Sequence, residues 1–287
     1  MVPAIGFGAW PIGGGMGAVD EADAIRTIHA AIDSGITLLD TAQAYRASEE
    51  ILGRALVGRP RESVFLATKV SSPYSRGHVR QAMENSLRAL RTEYVDLYQV
   101  HWWNPAYPIG ETMEAMESLR QEGKTRYLGV SNFSVPQMEE ALRVARFHSL
   151  QPRYNLLDRS IEHEILPFCE REGIGILAHS PLAKGMLTGK YGPGHAFAED
   201  DERSRMSEFG EARLRAVWPK VDRLRDLARS KSKSLVQLAV NALLWRSAVT
   251  CVLVGAKTPA QVREHVGAQG WRLTDEDRRS LEAILAA

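Results

Sequence analysis

Val64-Phe65-Leu66-Ala67-Thr68-Lys69-Val70 and Val95-Asp96-Leu97-Tyr98-Gln99-Val100-His101-Trp102 are two short apolar runs, and the stretch between them decides the fold. There Val79, Met83, Leu87 and Leu90 recur at helical spacing, so the segment reads as strand, crossover helix, strand. Strands joined through a helix lie parallel in one sheet. The same alternation continues outward in both directions. Candidate strands are Ile5–Trp10, Thr37–Ala42, Val64–Val70, Val95–Trp102, Arg126–Asn132, Leu150–Asn155, Gly175–Ser180 and Thr250–Ala256. Helical stripes such as Ile25, Ile28 and Ile32 separate them, and helix starts are marked by Ser48 before Glu49-Glu50-Ile51-Leu52 and by Thr258-Pro259. Eight strands, each followed by a helix, predict an α/β chain closed into a (β/α)8 TIM barrel. No Pro/Gly/Ser-rich linker divides the series, so residues 1–287 read as a single domain.

Two stretches break the rhythm. Gly192–Gly210 is rich in Gly, Asp, Glu, Ser and Arg and reads as a long mobile loop after the seventh strand, on the face where barrel active sites lie. An extra helix, Ala212–Ser230, then precedes the seventh crossover helix, and Thr274–Leu285, with its Thr-Asp-Glu start, forms a C-terminal capping helix.

Lys and Arg total 36 against 35 for Asp and Glu, without a long block of one sign, which disfavours nucleic acid and anionic membrane surfaces as partners. A small molecule is the expected partner. Cys169 and Cys251 read as two buried thiols in a reducing, cytoplasmic compartment. Neither a signal-type N-terminus nor a bilayer-length apolar run is present, so export and membrane insertion are not expected.

Barrel chemistry is mounted at the C-terminal ends of strands. Strand two ends in Asp40, with Tyr45 a few residues into the following loop; strand three ends in Lys69 and strand four in His101. A phenol titrates near pH 10 in water, and a nearby ammonium would bring it toward the neutral range. Lys69 can do that, Asp40 can hold Lys69 charged, and His101 can donate a hydrogen bond to a carbonyl oxygen gaining charge. Taken singly, each has a plainer account: a turn aspartate, a packed tyrosine, a solvated lysine, a core histidine. Their joint placement on successive strand ends carries the weight.

Asp40-Thr41-Ala42-Gln43-Ala44-Tyr45, followed by Ser48-Glu49-Glu50-Ile51-Leu52-Gly53-Arg54-Ala55-Leu56, resembles the signature of the aldo-keto reductases. Ala67-Thr68-Lys69, Asp96 to Trp102 and Gly129-Val130-Ser131-Asn132-Phe133 follow in the family's order, so the resemblance covers nearly the whole chain. It implies reduction of an aldehyde or ketone by NADP(H), with Tyr45 as general acid, Asp40 and Lys69 tuning it, and His101 orienting the carbonyl. It further implies that Ser131, Asn132 and Gln151 hold the nicotinamide carboxamide, with Gly8, Ala9, Trp10 and Asp40 bordering the cofactor. Ser180, Pro181, Leu182, Ala183 and Gly185, with Lys190, match the segment around the pyrophosphate. Gly255, Lys257, Gln261, Glu264 and His265 match the adenosine end, where Lys257 favours a 2′-phosphate. Each of these positions also has a structural account, as a strand end, a turn or a helix cap.

The chain departs from the family pattern in places. His179 stands where a large aromatic commonly stacks on the nicotinamide, Arg46 where glycine is frequent, and His265 where asparagine is usual. The family's N-terminal hairpin is missing, so the barrel floor must be covered otherwise. Trp10, Tyr74, Trp102 and Trp103 line an apolar mouth if they point inward, and pack in the barrel wall if they do not. Three rival readings remain. Gly13 to Ala18 formally matches a dinucleotide-binding G-x-G-x-x-A; His101, His179 and Lys69 invite a zinc hydrolase; and a cofactor-binding chain can serve as a non-catalytic regulatory subunit. The first expects a second domain and the second a third metal ligand, and the sequence offers neither.

Overall fold

The computed structural model describes residues 2–287. Eight parallel strands close into a barrel in sequential order: β1 (Ile5–Gly8), β2 (Leu38–Asp40), β3 (Phe65–Val70), β4 (Val95–Val100), β5 (Thr125–Ser131), β6 (Ser149–Gln151), β7 (Gly175–Ala178) and β8 (Val249–Val254), which pairs back onto β1. Around them run α1 (Glu21–Asp33), α2 (Ser48–Ala55), α3 (Arg76–Leu90), α4 (Ile109–Gln121), α5 (Val135–Leu142), α6 (Ile165–Glu172), α8 (Leu235–Leu243) and α9 (Pro259–Val266). The additions fall as the sequence suggests: α7 (Glu211–Ser230) precedes the seventh crossover helix α8, and α10 (Asp275–Ala286) packs against α7. None of these helices is long and apolar enough to cross a membrane.

Every strand except β3 ends earlier than its apolar run. Ala9–Trp10 leave the sheet for a 3-10 turn (Trp10–Gly13), and the runs after β6 and β7 stop against Pro152 and Pro181. A proline has no N–H to continue the ladder. Helix starts follow local chemistry: Thr258, Ser234 and Thr274 each make a reciprocal capping box with Gln261, Gln237 and Asp277. Ser48 is an exception. It lies inside α2 rather than capping it, and its hydroxyl pairs with that of Thr41 at 2.8 Å and donates to the Ala9 carbonyl at 3.1 Å.

The period of two along each strand sorts the barrel interior into layers. Leu38, Ala67, Leu97, Leu177, Cys251 and Leu253 form an apolar lower layer, closed beneath by Val2 and by Phe65, which stacks on Tyr127 at 6.1 Å. This is how the floor is covered. Two residues further along the same strands stand Asp40, Lys69 and Gln99, a polar layer directly above the apolar one. Both cysteines are free and buried.

The glycine run after β1 has a packing reason. A Cβ on Gly13 would lie 2.2 Å from the Tyr45 carbonyl oxygen, and one on Gly15 would lie 2.3 Å from the Trp10 ring. The run lets the β1 loop press against the loop that carries Tyr45, which accounts for the glycines by packing, and the sheet they follow is a closed barrel and not the open sheet of a dinucleotide-binding fold. Gly13→Ala is expected to lose ~1–3 kcal/mol in urea unfolding, because the clash is with backbone that cannot swing aside.

Candidate active site

Asp40 closes β2, Lys69 stands one residue before the end of β3, and His101 follows β4 directly, so all three meet at one rim. Tyr45 joins them from the loop before α2. The Lys69 ammonium is fully buried and donates to Asp40 Oδ1 at 2.6 Å, to the Thr41 carbonyl at 2.9 Å and to the Tyr45 hydroxyl at 3.3 Å. These three acceptors match its three N–H groups. The other Asp40 oxygen accepts from Gln151 Nε2 at 2.8 Å and Gln99 Nε2 at 3.2 Å. Gln99 was not among the residues singled out from sequence. Its signal is parity: it lies two residues before His101 and in register with Lys69, on the inward face.

Burial works against the Lys69 charge, but Asp40 and Tyr45 outweigh it and its pKa is raised. Tyr45 moves opposite to the sequence expectation. Its ring is half-buried with the hydroxyl turned in to Lys69; desolvation raises the phenol, Lys69 draws it down, Asp40 raises it again, and the net shift is upward. The phenol therefore keeps its proton through the neutral range. His101 is pushed down to about 3 by burial, then by Lys69 and His179, so its imidazole is neutral. Its Nδ1 lies 3.2 Å from Ser71 Oγ, and with the serine hydroxyl as donor the remaining ring proton sits on Nε2. The Tyr45 ring stands edge-on to His101 at 5.5 Å and to Trp10 at 4.9 Å.

Ser131, Asn132, Gln151 and His179 form a connected polar patch beside this cluster. Ser131 Oγ donates to the Gln151 carbonyl at 2.8 Å, Asn132 Nδ2 donates to Ser131 Oγ at 2.9 Å, and Asn132 Oδ1 meets His179 Nε2 at 2.9 Å. The second His179 nitrogen lies 3.0 Å from Ser180 Oγ, so both are engaged, and burial, then Lys69, Arg153 and Lys184, hold this imidazole at about 3. Among the described residues, no three His, Cys, Asp or Glu side chains stand where they could share a metal ion.

Beyond His179 the backbone turns left-handed at Ser180, Ala183, Lys184 and Gly185, with Pro181 and Leu182 between. The Ala183 and Gly185 N–H groups are spent within this turn, on the Ser180 and Leu182 carbonyls at 2.9 Å each, which leaves the Lys184 ammonium as its group for an anion. Lys190 is exposed. On the opposite side of the mouth, Gly8 pairs with Asp40 and the Ala9 N–H donates to the Asp40 carbonyl at 2.8 Å. Gly255 lets the β8 loop close on Pro11, whose Cγ would lie 2.6 Å from an added Cβ. Lys257 binds the carbonyls of Met16 and Gly17. Gln261 is largely occupied by capping, its side-chain oxygen accepting from the Lys257 N–H at 2.7 Å, while Glu264 is half-buried and His265 is buried and lowered to about 4. Ser131 offers a hydroxyl, Asn132 and Gln151 offer carboxamides, and Lys184, Lys190 and Lys257 offer cations, a set that fits a dinucleotide lying from the tyrosine to α9.

The aromatic mouth divides. Trp10 is half-buried and Trp102 is 54% exposed at the rim, whereas Tyr74 is buried and Trp103 packs on Phe133 at 5.5 Å. Arg46 turns its guanidinium to the Gly14 carbonyl at 2.8 Å.

A closed parallel barrel with this rim defines an oxidoreductase class, and the model of the "Aldo/keto reductase family" matches residues 4–286. The chain belongs to that family. It is 41% identical to "Aldo-keto reductase YhdN" of Bacillus subtilis over 98% of this chain and 89% of that one, and 33% identical to the "NADH-specific methylglyoxal reductase" of Escherichia coli over 99% and 94%. Among solved structures, the glycerol dehydrogenase AKR11B4 of Gluconobacter oxydans superposes with a TM-score of 0.91 at 37% identity, over 99% of this chain and 92% of that one. An aldo/keto reductase of Klebsiella pneumoniae in complex with NADP and acetate superposes with a TM-score of 0.83 at 30% identity, over 99% and 92%.

The three suppressed histidines set an acid limit on stability. His101 and His179 near 3 and His265 near 4 stay neutral in the folded protein, while an unfolded histidine protonates near pH 6.5. Below about pH 6.5 the unfolded chain binds more protons, so stability falls as pH falls from there toward the folded values. Denaturant midpoints between pH 7 and pH 4.5 should drop, with an uptake of ~3 protons on unfolding from these groups; a flat profile would contradict the buried neutral state.

Proposed function

We propose that this chain reduces the carbonyl of a small aldehyde or ketone to an alcohol with NADP(H), using Tyr45 as the proton donor. The observation that carries the reading is the Tyr45 hydroxyl 3.3 Å from a buried ammonium that is itself held by Asp40. Bound NADPH would supply the hydride. As the carbonyl oxygen gains charge, Tyr45 hands it the phenolic proton, and Lys69 stabilises the phenolate left behind. Asp40 keeps Lys69 charged and aimed, and the neutral His101 donates its Nε2 proton in a hydrogen bond to the same oxygen. A phenol raised by burial stays in the acid form required for reduction.

Cofactor placement rests on the donor set at the rim and on the NADP found with the Klebsiella relative. The nicotinamide would lie over Ser131, Asn132, Gln151 and His179, the pyrophosphate along residues 180–185, and the adenosine toward Lys257 and α9. The E. coli relative named as NADH-specific makes the 2′-phosphate contact the point to test, and Lys257 is the residue for it. Trp10 and Trp102 give the mouth an apolar rim suited to aromatic or aliphatic carbonyls.

A carbonyl panel followed by NADPH and NADH absorbance tests activity, cofactor and substrate together. Tyr45→Phe should slow reduction ~10²–10⁴-fold with little change in cofactor affinity; an unchanged rate would remove Tyr45 as the acid. Lys257→Met should weaken NADPH and leave NADH nearly untouched, and equal effects on both would place the 2′-phosphate elsewhere.

A further inference from the structure

Residues 192–210, expected to be a mobile loop, carry two 3-10 turns, Glu202–Arg205 and Ser207–Phe209, and reach across the barrel mouth. Asp201 forms an antiparallel bridge with Met16, and the Glu202 N–H donates to the Gly15 carbonyl at 3.3 Å. Arg203 is buried. It donates to both Asp201 oxygens at 2.9 and 2.6 Å and to the Lys184 carbonyl at 3.2 Å, and it lies over the rings of Tyr191 and Phe197 at 4.6 and 4.4 Å. The backbone on both sides of Glu202 is thereby pinned, while the Glu202 side chain is only half-buried.

That carboxylate accepts from Lys184 Nζ at 2.8 Å and from Trp10 Nε1 at 3.1 Å. Its negative charge also acts on Tyr45. Lys184 stands in the left-handed run of residues 183–185, where the Ala183 and Gly185 N–H groups are spent on the Ser180 and Leu182 carbonyls at 2.9 Å each, so the Lys184 ammonium is the group at this turn that calls for a negative charge. In the free protein a strap carboxylate supplies that charge. The pyrophosphate, with one negative charge on each phosphorus, offers the same ammonium an alternative anionic partner.

Resting on the cofactor placement given above, we propose that Lys184 is a phosphate-binding residue of the cofactor site and that Glu202 takes its place as partner in the free protein, exchanging with the dinucleotide when it binds. The exchange needs only side-chain motion, since Asp201 and Arg203 hold the strap backbone in place. Glu202 therefore lowers cofactor affinity twice: its ion pair must break, and its charge then lies close to the phosphates. Trp10 shares the same carboxylate oxygen, so partner exchange at Lys184 is felt at the indole beside Tyr45.

Calorimetric titration with NADP⁺ alone, without a carbonyl substrate, tests this. Glu202→Gln should tighten binding about three- to tenfold, Lys184→Met should weaken it by about tenfold, and the gain from Glu202→Gln should vanish in the Lys184→Met background. Lys184→Gln serves as a second variant should the methionine disturb the fold. An unchanged or weaker Kd in Glu202→Gln, or a gain that persists without Lys184, would overturn the proposal. If the unaltered protein binds NADP⁺ but neither variant shifts the Kd, this proposal alone fails. If the unaltered protein binds neither NADP⁺ nor NAD⁺, the reductase reading fails with it.

Discussion

A lysine ammonium with no exposed surface, inside a barrel of hydrocarbon, is the constraint around which the rest of the rim is arranged. Stripping it of water costs several kcal/mol unless every N–H finds an acceptor. Asp40, the Thr41 carbonyl and the Tyr45 hydroxyl fill that need. The aspartate must then be satisfied in turn, and its second oxygen is met by carboxamides from β4 and β6. One buried charge thus recruits groups from β2, β3, β4 and β6 and from the loop bearing Tyr45. The apolar layer beneath, from Leu38 to Leu253, offers that charge no polar partner from below.

The surrounding groups hold a definite charge pattern. Lys69 is the fixed positive centre, and the two imidazoles facing it, His101 and His179, are kept neutral partly by that charge. An extra proton on either ring would place two cations side by side in a dry site. The tyrosine remains protonated because burial outweighs the pull of the lysine. Sequence proximity suggested that the ammonium would dominate. Desolvation, which depends on how loops close over the ring, cannot be read from the order of residues.

Most of the barrel was legible because its period-two and helical patterns are strong over short stretches, as from Val64 to Trp102. Asp40, Lys69 and His101 were legible for the same reason, being polar residues that end apolar runs. Gln99 carried the same signal one step earlier in its strand and was passed over, since a glutamine within an apolar run looks like an interruption. Ser48 was misplaced by one residue because its hydroxyl serves the Ala9 carbonyl and not its own helix. The strap from 192 to 210 was least legible. Its polar composition suggests solvent, yet Arg203 is buried between two aromatic rings and an aspartate, contacts that only its path across the mouth creates.

Trp102 combines a held main chain with an unheld side chain. Its N–H donates to the buried Tyr74 hydroxyl at 3.1 Å, while the indole lies open at the rim beside His101. The anchor makes no use of the residue's identity, since any amino acid except proline offers the same N–H. The hydrogen bond to Tyr74 therefore survives replacement of the Trp102 side chain by that of any residue but proline. Under the proposed function such a rim separates inheritance of the reaction from choice of what is reacted: the buried lysine and its hydrogen-bond partners hold the one, and an exposed side chain such as that of Trp102 faces the other.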